Sequence, residues 1–549
     1  MKKALSLLLA VLLVAMMIPS LALAEEGEKV LRFGTNSLKG TFNPILSSDV
    51  YDGYACDLMF AGLVGTDEGA NIVFDEDTIA TGYTLSEDHL TYTFTLKEGL
   101  AFQNGDPLTA NDVAFTYKMM GHPEYDGPRA AQVADMAGYR AYHDGESDEF
   151  EGIVVIDEYT ISFTLEEPYV AKIYDFGFGI LSENYYGQDT YEAFKDLNGA
   201  PMGAGPFMFD DFDPGQALHV VRNPNWFGRE PKLDGVSILI IPTETQIMAL
   251  SSGQVDLIQA GSANRDNYDA IVDGGAEAIV FIGLGFNCMM LNHQTPKLSD
   301  VNVRRALMHG FDRAGFIDNE YEGFASPCRM LVYDNPEFWA YPRESAHLLN
   351  SYEYDPELSK QILADAGWAI NDNGIWEKDG VELDLTMYIY DDVAWPQNLA
   401  SLLKEQWEDI GIGFQTIIAD FDTVMDEAYD NRAFEKFDMW TQGWSMSIDP
   451  DMSDLLGRVA FESAGGFNPG GYINEEAEEL FSRGRQEFDL AKRAEIYAEW
   501  AVLSNQDLPM LFNAVRQEIW GIAPGVTGFG QMNPFYGWVS CILDVDIAG

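Results

Sequence analysis

Basic residues are scarce in this sequence of 549 residues. Lys and Arg number 32 against 89 Asp and Glu, which gives a formal net charge of -57. A surface this acidic repels the phosphates of nucleic acids and anionic lipid headgroups, so we expect no nucleic-acid partner. The acidity keeps the chain soluble, and it leaves open an attraction for cationic ligands.

Cysteine and histidine are also too sparse for a metal or redox centre. Cys56, Cys288, Cys328 and Cys541 lie far apart and form no C-x-x-C pair, which excludes zinc-ribbon and thioredoxin-like classes. Four cysteines allow three complete disulfide pairings, and their spacing does not choose among them. No two of the seven histidines have metal-ligand spacing. We therefore expect no metal and no cofactor.

Catalytic motifs are missing as well. The sequence contains no GxxxxGK[ST] and no HExxH motif. Gly283–Cys288 lacks the last glycine of GxGxxG, and Gly443–Ser447 lacks the last glycine of the GxSxG elbow. Asn371–Gly374 looks like part of a calcium loop, but its EF-hand register lacks oxygen ligands at the first and last positions, which favours a polar turn. The chain is thus not expected to be an enzyme, although a hydrolase with unrecognised carboxylates stays a remote alternative.

A long apolar run occurs at the N terminus. Two lysines precede apolar residues 4–18, and Ala22-Leu23-Ala24 forms a small-x-small cleavage site. This pattern predicts a signal peptide over residues 1–24, because the run is shorter than the roughly 20 residues needed to span a bilayer. No cysteine precedes Cys56, so a lipid anchor at the cleavage site is excluded. We expect export to the periplasm or the cell-surface space.

The first half of the chain alternates between strand and helix patterns. Thr91–Leu96 alternates apolar and polar residues, which predicts a half-buried strand. Thr109–Asp112 predicts a capped helix start. A buried strand at Ile238–Ile241, a helix from about Thr245 and a strand at Val255–Ile258 form a β-α-β unit. This order predicts a sheet that contains parallel strands.

The second half repeats this alternation. Leu399, Leu402, Leu403 and Ile410 share one helical face, Gly411 ends the helix, and residues 414–418 predict the next strand. Both halves are therefore expected to be α/β.

Residues 90–120 carry a resemblance to a known family. The segment LTYTFTLKEGLAFQNGDPLTANDVAFTYKMM resembles the signature of extracellular solute-binding protein family 5, the oligopeptide-, dipeptide- and nickel-binding proteins of ABC importers. Further family-like blocks follow in the expected order: Pro201–Phe207, Arg222–Trp226, Pro231–Gly235, Ala249–Asp256, Asp300–Ala306, Asp312-Arg313, Tyr354–Glu357 and Leu363–Gly367. The resemblance covers essentially the whole mature chain.

The resemblance implies a periplasmic-binding-protein type II (cluster C) fold, in which two hinged lobes carry an extra inserted domain. The expected divisions are a signal peptide at 1–24, domain I at 25–50, 200–287 and 511–549, a domain II insertion at 51–199, and domain III at 288–510. Hinge strands are expected at Phe286–Asn292 and about Met510–Asn513. The ligand would lie between domains I and III and be enclosed when they close.

The resemblance also suggests where the ligand binds. The richest segment, from Trp440 to Asp451, combines tryptophans, serines and acids, a mixture suited to polar small molecules. Lobe core and ligand contact are equally open for Trp440, whereas Trp444 matches the Gly-Trp of the family pocket. The candidate ligand-binding residues are Asp49, Val50, Tyr51, Phe286, Asn287, Tyr388, Trp440, Gly443, Trp444, Ser445, Met446, Ser447 and Asp449.

One departure from the family pattern concerns the cargo. Peptide binders typically carry an Asp three residues after this Trp, which pairs with the peptide amino terminus, but this chain has Ser447 there. Asp449 could take the same role, or the clamp is absent. A buried ammonium without a carboxylate partner costs about several kcal/mol. Peptide is the leading expectation for the cargo, and an oligosaccharide or other polar metabolite is the alternative.

The expected partners follow from this role. They are the small-molecule ligand and the membrane subunits of an ABC permease, and the protein is expected to be a monomer. Nickel and haem fit less well, because the histidines are scattered. A sensory module that presents its ligand to a receptor is a remote alternative.

Overall fold

The computed structural model describes residues 28–332, 347–391, 393–463 and 466–548. The predicted signal peptide therefore lies outside the described residues. The strands are β1 Val30–Thr35, β2 Gly65–Thr66, β3 Ile72–Val73, β4 Ala80–Leu85, β5 Thr91–Leu96, β6 Ile153–Asp157, β7 Thr160–Thr164, β8 Phe207–Asp213, β9 Ala217–Arg222, β10 Gly235–Ile240, β11 Leu257–Gln259, β12 Glu277–Leu291, β13 Ala325–Pro327, β14 Ala369–Ile370, β15 Trp376–Lys378, β16 Val381–Glu382, β17 Asp384–Tyr390, β18 Gly413–Ala419, β19 Met439–Ser445, β20 Met510–Ile522, β21 Val526–Thr527 and β22 Asp546–Ile547.

The α-helices alternate with these strands in both halves of the chain. They are α1 Val50–Met59, α2 Ala110–Met120, α3 Tyr139–His143, α4 Glu183–Tyr186, α5 Tyr191–Lys195, α6 Thr243–Ser251, α7 Arg265–Asp273, α8 Val301–His309, α9 Arg313–Tyr321, α10 Pro356–Asp365, α11 Trp395–Asp409, α12 Phe421–Met425, α13 Ser453–Leu456, α14 Arg458–Glu462, α15 Glu475–Gln486 and α16 Leu490–Asp507. Within the described ranges, no helix is both long and apolar enough to cross a membrane.

One large mixed sheet connects the two halves of the molecule. Its strands follow the order β18-β17-β19-β12-β20-β11-β1-β10-β9-β8, and β13 pairs with β20. β1 is parallel to β10 and β11, and β17 is parallel to β18 and β19. The helices between these strands supply the crossovers that parallel pairing requires. This arrangement confirms the predicted α/β architecture.

Two apolar cores divide the molecule into lobes. The first lobe contains β1 and β8–β11, and its core continues into the separate antiparallel sheet β4-β5-β7-β6. The second lobe is built around β17–β19 and the helices that cover them. Hydrophobic burial is the dominant favourable term within each core, so each lobe is a packed body in its own right.

The strands β12 and β20 run through both lobes. Near Glu277 and Ile522 they pair within the first lobe, and near Met290 and Met510 they pair within the second. Their register breaks between Ile282 and Phe286. Both strands are longer than the predicted hinge segments, because each completes the sheet of one lobe before entering the other.

Local sequence patterns produced several elements as predicted. In β5 the alternate residues Tyr92, Phe94 and Leu96 are buried. At the start of α2, the Thr109 hydroxyl caps the helix while the Asp112 carboxylate accepts the Thr109 backbone N–H. This reciprocal capping box satisfies backbone donors that the first helical turn leaves unpaired.

The four cysteines lie within the described residues and are not joined by disulfides. Cys56, Cys288, Cys328 and Cys541 are all buried. None of the disulfide pairings that the sequence left open is therefore formed in this structure. Burial raises the pKa of the Cys56 and Cys288 thiols, which keeps them protonated.

Candidate ligand-binding cleft

The carboxyl ends of the strands from both lobes point toward the same gap. β11 ends at Gln259 beside Trp520, on the side of the first lobe that faces the second. β19 ends at Ser445 beside Gly285, on the side of the second lobe that faces the first. In open α/β sheets, ligands bind in the crevice outside the carboxyl ends of the strands. The geometry therefore places the candidate site between the lobes, above the break in β12 and β20.

The floor of this cleft is formed by the irregular part of the hinge strands. Residues 283–285 lie between the two paired stretches of β12, and the Met446 N–H donates to the Leu284 carbonyl at 3.0 Å. On the opposite strand, Arg516 pairs with Ala325 of β13. The register break turns both strands at the point where the lobes meet.

Trp444 lies at the second-lobe edge of the cleft. It is half-buried at the end of β19, and its ring is 5.3 Å from that of Phe467, which is 50% exposed. Ser445 and Ser447 are exposed beside it. An aromatic face flanked by hydroxyl groups suits the binding of a polar molecule with apolar parts.

Other predicted residues of β19 and β17 are buried. Trp440 is 0% exposed, and its indole N–H donates to the Gln442 side-chain oxygen at 3.1 Å. Tyr388 packs edge-on against Phe437, with ring centroids 5.3 Å apart. Met446 is buried as well, whereas Gly443 is half-buried. In this conformation Trp440, Tyr388 and Met446 contribute to the core of the second lobe.

The predicted hinge residues are also enclosed. Phe286 is fully buried, and its backbone pairs with both Trp444 and Val515. The buried Asn287 side chain donates to the Tyr321 hydroxyl at 2.7 Å. This bond ties β12 to α9, so the structure gives Asn287 a bracing contact at the hinge.

Asp449 is paired within its own lobe. The Arg493 Nη2 group lies 2.9 Å from one carboxylate oxygen and 2.7 Å from the other, and both residues are buried. The Ser447 hydroxyl donates to the Asp449 backbone carbonyl at 2.5 Å. The predicted role of Asp449 toward a peptide amino terminus stays a prediction.

The early segment lies at the start of α1. The Asp49 carboxylate accepts the backbone N–H groups of Tyr51 and Asp52 and thereby caps the helix. Val50 is 63% exposed, whereas Tyr51 is half-buried with its ring 6.2 Å from that of Tyr54. Val50 is therefore the most accessible of the three candidates in this segment.

The Asp449 segment is also linked to the chain that follows the antiparallel sheet β4-β5-β7-β6. The Arg485 guanidinium lies 4.3 Å from the centre of the Tyr169 ring and pairs with Asp451 at 3.2 Å. Burial raises the pKa of Asp451 to about 6, an effect that the Arg485 charge opposes. These contacts join the two sides of the molecule next to the cleft.

Two residues that the sequence reasoning missed lie on the cleft floor. Glu518 and Arg516 are both on β20, close to the register break. A charged pair with i, i+2 spacing inside a long apolar strand was the available signal, since such residues share one face. It was overlooked because the predicted hinge strand stopped at Asn513.

A concavity of about 390 Å³ lies on the helices α15 and α16. It is lined by Arg483, Gln486, Glu487, Lys492, Glu495, Ile496 and Glu499. Its long charged side chains come from α15, α16 and the turn between them. None of the predicted ligand-binding residues lines it.

The two lobes, the paired hinge strands and the intervening cleft define a solute-binding protein of the hinged type. The family model of bacterial extracellular solute-binding proteins, family 5 (middle), matches residues 76–466, and the chain belongs to this family. Proteins of this family bind and hand over solutes and are not enzymes.

Relatives cover most of the chain. It is 25% identical to the oligopeptide-binding protein AppA of Bacillus subtilis over 491 residues, 86% of this chain and 83% of the relative. It is 27% identical to heme-binding protein A of Haemophilus influenzae, over 84% of this chain and 82% of the relative.

Solved structures share the fold. Bacillus subtilis AppA in complex with a nonapeptide superposes with a TM-score of 0.71 at 23% identity, covering 95% of this chain and 100% of that structure. Lactococcal OppA, complexed with an endogenous peptide in the closed conformation, gives 0.74 at 22% identity, covering 95% and 100%.

Proposed function

We propose that this protein captures a peptide in the cleft between its lobes and delivers it to the membrane subunits of an ABC importer. The observation that carries the proposal is the cleft itself, where the strand ends of both lobes meet above a shared pair of hinge strands. Oligopeptide-binding relatives that match 86% and 76% of the chain support the peptide as cargo.

The proposed mechanism is closure about the hinge. An open form binds the peptide, and the closed form is stabilised because the peptide contacts both lobes at once. The permease then recognises surfaces of both lobes, which are correctly spaced only after closure. The proposal includes the domain divisions expected from the sequence. It also includes a monomeric protein that lies outside the cytoplasmic membrane and has no lipid anchor.

Trp444, Ser445 and Ser447 are the proposed contacts in the second lobe, and Val50 and Tyr51 those in the first. Trp444 offers an aromatic face, and the two serines offer hydroxyl groups at the mouth of the cleft. The remaining predicted residues are proposed to support these contacts from behind, since their side chains are buried or cap α1 and Gly443 has none.

An oligosaccharide is the second candidate for the cargo. Two observations favour it: the half-buried Trp444 ring and the exposed Phe467 ring suit sugar stacking, and the Asp449 carboxylate is already paired with Arg493. A sugar needs no partner for an ammonium group.

Thermal unfolding in the presence of candidate cargoes separates the two. A tryptic casein digest should raise Tm, because a ligand at a hundredfold excess over its Kd stabilises the native state by about 2.7 kcal/mol. Maltooligosaccharides should leave Tm unchanged. A shift with the sugars and none with the digest would contradict the peptide assignment.

A further inference from the structure

The cleft floor contains a carboxylate and a guanidinium on the same face of one strand. Glu518 and Arg516 are two residues apart on β20, and side chains at i and i+2 of a strand point the same way. Arg516 lies at the register break, and Glu518 follows it where the strand enters the first lobe. The pair therefore lies where a ligand between the lobes would reach the bottom of the cleft.

The Glu518 carboxylate is oriented but not neutralised. The Gln259 amide donates to its Oε2 at 3.0 Å, and the Trp520 indole N–H donates to the same oxygen at 3.2 Å. Among the described residues, no cationic side chain lies within ion-pairing distance of Glu518. Burial raises its pKa, an effect that the Trp520 hydrogen bond and the Arg516 charge oppose, and a cation placed next to the carboxylate would further favour its ionised form.

Arg516 is exposed and similarly unengaged. Its guanidinium donates no hydrogen bond and forms no ion pair within the described ranges of the chain. Nearby groups are the Glu518 carboxylate and the hydroxyls of Tyr321 and Tyr390, whose pKa values its charge tends to lower. A guanidinium with open donors is the typical protein partner of a carboxylate.

Two glycines of β12 make room for these charged groups. A methyl group on Gly283 would lie 3.0 Å from Glu518 Oε1, and one on Gly285 would lie 3.0 Å from Arg516 Nη2. The Gly-x-Gly segment therefore has a packing role. A larger residue at Gly283 would crowd the Glu518 oxygen that accepts no bond, and one at Gly285 would crowd the Arg516 guanidinium.

We propose that Glu518 and Arg516 form a charge-recognition subsite on the cleft floor that binds the ammonium and the carboxylate of one short peptide. The two Cα atoms are about 7 Å apart, since a strand rises about 3.3 Å per residue. About two extended residues of peptide span that distance. The cargo class is thus a zwitterionic dipeptide or tripeptide, with Glu518 in the role that Ser447 cannot fill.

This inference rests on the proposed peptide cargo, and the test separates the two. The full-length mature protein is mixed with an exhaustive pronase digest of casein, rich in short peptides, and with a tryptic digest. Each digest is used untreated, with its amines acetylated, or with its carboxylates methyl-esterified. Captured peptides are released by denaturation and identified by mass spectrometry.

The wild-type protein should capture dipeptides and tripeptides from the untreated pronase digest, and about tenfold less from either blocked digest. Glu518→Gln should lower capture of untreated peptides about tenfold. It should no longer distinguish acetylated from untreated peptides but should still discriminate against esterified ones. Arg516→Gln should no longer distinguish esterified from untreated peptides but should still discriminate against acetylated ones. Glu277→Gln and Arg140→Gln, which remove exposed charges elsewhere, should behave as wild type.

Gly283→Ala is the second variant, in case Glu518→Gln does not fold. It keeps both charges and should still lower capture, because its methyl group crowds Oε1. Unchanged discrimination in Glu518→Gln and Arg516→Gln, unchanged capture by Gly283→Ala, or capture of long peptides only would each overturn the subsite while the peptide function stands. No peptide captured by wild type from any digest would overturn the proposed function itself.

Discussion

Arg493 places one guanidinium nitrogen within 2.9 Å of both carboxylate oxygens of Asp449, in a site where the side chains are 2% and 11% exposed. The same guanidinium donates to the Gly484 carbonyl at 2.8 Å and lies 4.8 Å from the Tyr497 ring centre. The pair fixes the segment that follows Trp444 to α16. Arg493 is also the counter-charge of the Asp449 carboxylate, which the family pattern suggested as a partner for a peptide amino terminus.

Breaking this pair should cost stability more than affinity. Asp449→Asn leaves a buried guanidinium without its counter-charge, which costs about 3 kcal/mol of the free energy of unfolding. Peptide affinity should change less than tenfold, since Asp449 does not reach the cargo in this account. Chemical denaturation and calorimetric titration on the same sample measure both quantities.

The double variant Asp449→Asn with Arg493→Met is the control for this prediction. It removes both charges and should recover part of the lost stability, because a fully apolar replacement of a buried pair is often tolerated. An Asp449→Asn protein that keeps its stability but loses peptide binding would instead assign Asp449 to the cargo.

The two tryptophans of β19 should have opposite phenotypes. Trp444→Ala should weaken cargo binding about tenfold, since an aromatic residue at the centre of a binding surface often dominates its energy. Trp440→Ala should instead lower the free energy of unfolding by about 3–5 kcal/mol, because it empties a site in the lobe core. Thermal unfolding and titration of both variants with casein-derived peptides check the contrast, and equal affinity losses would contradict it.

His293 should make stability depend on pH. Its Nε2–H donates to the Pro509 carbonyl at 2.7 Å, and burial, followed by the Arg304 charge, lowers its pKa from 6.5 to about 3. Between these values the unfolded chain binds a proton that the folded chain does not, so this stabilising contribution is complete above pH 6.5 and declines as the pH falls toward 3.

The corresponding variant is His293→Gln, with His309→Gln as the control for loss of an imidazole from the same lobe. Between pH 7 and pH 5 the wild-type protein should lose about 1 kcal/mol more stability than His293→Gln. Denaturant unfolding at the two pH values measures it. Equal losses in wild type and His293→Gln would rule out the effect.

The strand and helix patterns predicted the architecture well because they depend on local periodicity. The alternation of Thr91–Leu96 and the capping residues Thr109 and Asp112 act within a few residues of chain, and the structure reproduces both. The β-α-β unit around α6 also formed as predicted, as two strands parallel to β1. Such signals do not require knowledge of distant partners.

The cleft was less accessible to sequence reasoning because its chemistry depends on distant pairs. The partner of Asp449 is 44 residues further along the chain, and Gln259 meets Glu518 across 259 residues. The burial of Trp440 and the exposure of Phe467 likewise follow from packing between separate segments. Residue types alone therefore suggested a segment without showing which of its side chains are exposed at the cleft and which are buried.

The most direct test of a peptide-binding function is mass spectrometry of the small molecules released when the protein is purified from its cells and denatured. We expect peptides, with dipeptides and tripeptides carrying free termini most abundant, in near-stoichiometric amounts. The release of oligosaccharides with no peptide would contradict the account and assign the Trp444 side of the cleft to sugar binding.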